Sequence, residues 1–169
     1  MKAFDSSFAE VNAHFEVLSP KQSPKQWKPT AYTQKTKSDS AVVDVTYLAL
    51  AVAIEQKGLD VRGLDLRGLT DVADYCVIVS GTSDRHVQGV ADKIERALRN
   101  IGSHPVSIVG RENAQWILLD YADLVIHVFY EPTRQYYEFD TLWKQAKPLA
   151  LDPELEAQAR KLRTGVVRW

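Results

Sequence analysis

The run Tyr75-Cys76-Val77-Ile78-Val79-Ser80 constrains the fold most, because it is nearly continuous in apolar character and leads through Gly81-Thr82-Ser83 into a long helical repeat. A strand without a polar face is buried on both sides, which demands a layer above it and a layer below it. Beyond the Gly81 turn, Val87, Val90, Ile94, Leu98 and Ile101 recur at helical spacing. Thr82 or Ser83 can serve as the cap, and Asn100-Ile101-Gly102 marks the stop. A buried strand feeding an amphipathic helix reads as an α/β domain.

The flanking segments extend that reading. Val45, Leu48, Ala49 and Val52 predict the inner face of a helix over 43–57, with Ser40 as its N-cap and Gly58 past its end. Further strands are expected over 61–66, 106–109, 116–119 and 124–129. The last two, separated by the polar segment 120–123, should pair as a hairpin. Pro132 suits the first turn of a helix reaching Trp143, and 153–162 can add another. The sum is a layered α/β sandwich, a mixed β-sheet flanked by helices.

With 169 residues, 45% of them hydrophobic, the chain suffices for one domain with tails. Residues 1–42 read as an N-terminal extension, 43–149 as the domain and 150–169 as a C-terminal tail. Within the extension, 19–40 carries Pro20, Pro24 and Pro29 but no Ile, Leu, Val, Phe or Met, the composition of a flexible linker. Ahead of it Phe4, Phe8, Val11, Phe15 and Leu18 fall at helical spacing with Ser7 and Glu10 as a capping box, allowing a short amphipathic helix. That segment lacks Arg and holds Asp5, Glu10 and Glu16, which argues against organelle targeting. The single cysteine, Cys76, permits no intrachain disulfide and suits a reducing compartment. No run approaches a membrane span, so a soluble, cytoplasmic protein is expected. Over 43–149 there are 15 Asp plus Glu against 11 Lys plus Arg, a balance of −4, which favours a basic partner and gives no overall field for nucleic acid.

Candidate chemistry is sparse. Gly81-Thr82-Ser83 at a helix N-terminus could cradle an anion, but the spaced glycines with Lys of a phosphate loop are missing, and capping explains these residues. Asp92, Asp120 and Asp123 do not form an Asp-x-Asp facing that turn, so no metal site is expected. His127, on the face of Val125 and Phe129, reads as a hydrogen-bonded core histidine, and His86 lies in a helical first turn. Ser83 lacks a nucleophile-elbow sequence and Cys76 lacks an electropositive setting. What remains is a set of rings, Trp116, Tyr121, Tyr136, Tyr137 and Trp143, of the kind that occupies protein interfaces or closes the edges of a core.

Leu64-Asp65 to Leu69, Asp74 to Ser83, Arg85-His86-Val87, Trp116 to Tyr121, Asp123, Val125 to Val128 and Arg134 to Trp143 together resemble the ribosomal silencing factor, or Iojap, family. The resemblance covers about residues 43–145. It implies a fold related to nucleotidyltransferases without their catalytic carboxylates, no enzymatic activity and no cofactor. The implied role is repression of translation under starvation, by binding ribosomal protein uL14 on the large ribosomal subunit and blocking subunit joining. Partner contacts would fall on Trp116, Tyr121 and Tyr137, with Asp120 and Asp123 as acceptors for basic groups. The family's usual glycine before Asp123 is Ala122 here, which would cost about 1 kcal/mol at positive φ. Two alternatives stay open: an enzyme, a nucleotidyltransferase or phosphate-ester hydrolase using 81–83 with a metal on Asp120 or Asp123, and a scaffold that pairs with itself as a homodimer.

Overall fold

The computed structural model describes residues 39–163. The elements follow in the order α1 (Asp39–Glu55), β1 (Leu59–Asp65), β2 (Tyr75–Gly81), α2 (Asp84–Asn100), β3 (Ser107–Val109), β4 (Trp116–Asp120), β5 (Leu124–Tyr130), α3 (Glu131–Tyr137), α4 (Phe139–Leu142), β6 (Lys147–Pro148) and α5 (Pro153–Arg163). The expectations for residues 1–38, linker and amphipathic helix alike, lie outside the described residues. No helix among those described is long and apolar enough to cross a membrane.

The strands form one six-stranded mixed sheet in the order β3-β4-β5-β2-β1-β6. β2 and β5 are parallel, Tyr75 opposite Leu124 through Gly81 opposite Tyr130, while the other neighbours are antiparallel. All seven residues of β2 are buried, as its apolar run requires. The hairpin of β4 and β5 forms as expected, with Trp116 opposite Phe129 and Asp120 opposite Val125.

Strand alternation sorts the side chains onto two faces. Tyr75, Val77, Val79, Ile117, Leu119, Leu124, Ile126 and Val128 pack with residues of α1, α2 and α5. Leu64, Cys76, Ile78, Trp116 and Phe129 face the other way, beneath Phe139 and Trp143. Burial pushes the Cys76 thiol up, so it is an inert core group.

Four details differ from the sequence expectation. α1 buries Val42, Thr46, Ala49, Leu50, Ala53 and Ile54, while Val45, Leu48 and Val52 are only half-buried; Ser40 lies inside the helix. A helix apolar on nearly every side gives no periodic signal for choosing its inner face. In α2, Ile101 is past the helix end and exposed, whereas Ala91 joins the buried stripe. The helix after Pro132 breaks into α3 and α4 at Glu138, whose φ is 47°. Finally, α5 buries Ala159 in the main core and contacts β1 and α1, so the described part of the expected tail, residues 150–163, packs against the domain.

Candidate functional site

The rings do not all lie at the surface. Trp116, expected as a contact residue, is 1% exposed. As the first residue of β4 it points into the second face of the sheet, stacked 4.7 Å from Phe129 and edge-on to Phe139 at 5.6 Å. Its indole N–H donates to His127 Nδ1 at 3.1 Å, so His127 is the hydrogen-bonded core histidine that its position implied. Tyr137 lies 5.7 Å from Trp116, half-buried, with burial and then Tyr136 holding its hydroxyl above the usual range. Tyr136 packs edge-on to Tyr137 at 5.1 Å and is 65% exposed. A line of rings therefore runs from solvent to core, Tyr136 to Tyr137 to Trp116.

Asp120, Tyr121 and Asp123 sit at the opposite end of β4, about 13 Å along the strand from Trp116 at roughly 3.3 Å per residue. Ala122 adopts φ 68°. Its N–H donates to Asp120 Oδ1 at 2.8 Å, closing an Asx turn, while the Asp123 carbonyl accepts from the N–H groups of Asp74 and Tyr75. Tyr121 packs toward α2 in the main core. Its hydroxyl is buried without a protein partner, and burial, then Glu95, pushes it up to about 12 against Arg99 and Arg111. Beside it Arg111 binds Asp92 and Glu95, tying the β3–β4 loop to α2. The five expected contact residues thus form two separate groups.

The turn at residues 81–83 is occupied by its own helix. Ser83 Oγ accepts from the His86 N–H at 3.1 Å, and the Thr82 N–H donates to His86 Nδ1 at 3.0 Å. His86 Nε2 lies 2.9 Å from the Gln56 carbonyl, which fixes it as the protonated nitrogen. A Cβ on Gly81 would sit 2.8 Å from Val87, so glycine lets the turn close onto α2. These amides and hydroxyls cap a helix. Among the described residues no group of three or more His, Cys, Asp or Glu side chains lies where it could hold a metal ion.

Arg134 was given no role from sequence alone, yet it is the best-connected polar side chain here. It is 3% exposed; Nε and Nη2 donate to the Asp140 carboxylate at 2.9 and 2.8 Å, and Nη1 donates to the Asp60 carbonyl and to Ser80 Oγ at 2.9 and 3.0 Å. One guanidinium thereby fixes α3 and α4 against β1 and β2, and with them the orientation of Tyr136 and Tyr137. An Arg two residues past Pro132, in a helix laid over buried strands, was the available signal.

Residues 34–166 match the family described as "RsfS: Ribosomal silencing factor during starvation". The chain belongs to the ribosomal silencing factor family. The ribosomal silencing factor RsfS of Bacillus subtilis is 37% identical over 103 residues, covering 61% of this chain and 86% of that protein. RsfS of Chromobacterium violaceum is 31% identical over 107 residues, 63% and 88% of the two chains. A crystal structure of a C. violaceum protein superposes with a TM-score of 0.60 at 28% identity, covering 66% of this chain and 92% of that one. In this member of the ribosomal silencing factor family, the turn before Asp123 is built on alanine.

Proposed function

We propose that this protein represses translation by occupying the large ribosomal subunit through ribosomal protein uL14, where its bulk keeps the small subunit from joining. The family match over residues 34–166 carries this reading. The ring ladder supports it: Tyr136 offers an exposed ring, Tyr137 stands behind it, and Trp116 with Arg134 holds both from below. Tyr rings set on a rigid base make effective interface contacts because little side-chain freedom is lost on docking. Asp120 and Asp123, at the other end of the hairpin, form an acidic outlying contact for a basic partner. Trp116 acts as a positioning residue. No bond is made or broken; occupancy alone silences.

Sedimentation of the purified protein with large subunits, and the yield of joined ribosomes in its presence, test the proposal. Tyr136→Ala combined with Tyr137→Ala should weaken binding by about 30-fold, the size of a 2 kcal/mol hot spot, with circular dichroism unchanged. Normal binding by that variant would move the docking face elsewhere. Trp116→Ala is unsuited to the test, since emptying so large a core site costs about 3–5 kcal/mol of stability.

A further inference from the structure

Of the large apolar side chains exposed among the described residues, Ile101, Val106 and Tyr136, only Tyr136 is a ring. It stands almost at right angles to Tyr137, with 86° between the planes and 5.1 Å between the centroids. Trp116 lies behind Tyr137 at 5.7 Å, so the pair is backed by the core. Pro132, one turn before Tyr136 on α3, is exposed on the same side of the helix and extends the apolar surface. The result is a flat, rigid wall open to solvent.

The charge around that wall has one sign. From Glu131 to Leu142, the span of α3 and α4, Arg134 is the only cation, and it is buried and held by Asp140. Glu131 and Glu138 make no ion pair among the described residues. Glu131 accepts from Gln135 Nε2 at 3.3 Å, and Glu138 is exposed at the C-terminal end of α3, where the helix dipole adds to the negative field. The next cation along the chain, Lys144, borders the groove beside β1. A ring face in a negative field draws a cation, and its flatness distinguishes one cation from another. A guanidinium stacks on tyrosine, is weakly hydrated and offers its edge to a carboxylate, whereas an ammonium is compact and holds its water. The methylene stem of an arginine gains apolar contact from Pro132.

We infer that Tyr136 and Tyr137, with Glu131 and Glu138, form a seat for an arginine side chain of the docked protein; this rests on the docking face proposed above. The direct probe is the capped tripeptide acetyl-Gly-Arg-Gly-amide, titrated into the full-length protein and followed by NMR. Its arginine side-chain protons should move upfield in the ring current of Tyr136, and the shift should vanish in Tyr136→Leu. The same peptide with citrulline, planar but neutral, or with lysine should shift less than about half as much. An equal shift from either would overturn the inference. In large-subunit sedimentation Tyr136→Phe should keep its affinity within about 2-fold, whereas Tyr136→Leu, and Glu131→Gln with Glu138→Gln, should each lose about 5-fold. Glu154→Gln, an exposed acid on α5, should change nothing. Equal binding by the Phe and Leu variants sinks the arginine seat, even where Tyr136→Ala with Tyr137→Ala weakens binding and the docking face stands. A wild type that shifts the arginine peptide but does not sediment with the large subunit refutes the docking proposal and leaves the seat standing.

Discussion

Ala122 holds φ 68°, where an L side chain crowds its own carbonyl and only glycine is at ease. The hydrogen bond from its N–H to Asp120 Oδ1 and the strand pairing on either side hold it there. Ala122→Gly should therefore raise stability by about 1 kcal/mol, or roughly 2–4 °C in a thermal melt for a domain of this size. Asp140 gives a pH test. Burial pushes its carboxyl up, but hydrogen bonds from Arg134 and the charges of Arg134 and Arg62 outweigh this and hold it below the ordinary 3.8. A carboxyl lowered by folding contributes stability that is complete above its unfolded value and is lost as pH falls through its folded one. Melting temperature should accordingly fall with acid below about pH 4, and Asp140→Asn should start lower and show a shallower fall over that range. At this scale the sequence was informative where a residue's chemistry is local. Ser83 as a cap and the cost of Ala122 were readable, while the burial of Trp116 was not, since that depends on Phe139 arriving from a distant helix.

Among the elements, α2 was legible because its apolar stripe and its cap agree. It retains one weak point, Gly89, exposed in mid-helix with nothing within 4 Å of an added Cβ. Gly89→Ala should stabilise by about 1 kcal/mol in a denaturant titration, with the slope unchanged. α1 was legible as a helix but not in its orientation, because Val45, Leu48 and Val52 compete with Val42, Leu50 and Ile54 for the inner position. The break at Glu138 had no turn signal; the bidentate grip of Arg134 on Asp140 coincides with the fold of α4 back over the sheet. The two residues of β6 are too few for any periodicity, and they pair because Leu64 and Asp65 present an open edge.

As a whole molecule, the mixed sheet follows from a doubly buried strand, a hairpin and the helices between them, so its class was readable from apolar pattern alone. The candidate site was readable only in part. The ring residues could be named, but whether a ring meets solvent depends on how α3 and α4 lie across the second face. Hence Tyr136 becomes the leading contact and Trp116 its support. The aromatic ladder belongs to α3 and β4, while β1 and β6 lie at the other end of the strand order.

The parallel pairing of β2 with β5 has a consequence for how the chain is made. One side of β2 can find β1 as soon as both have been synthesised, but its other side stays bare through the 49 further residues from Gly81 to Tyr130, until Tyr130 has emerged from the exit tunnel. A nascent chain of this protein thus carries a sticky, half-finished sheet through much of its own translation, and completes it only with the last long strand.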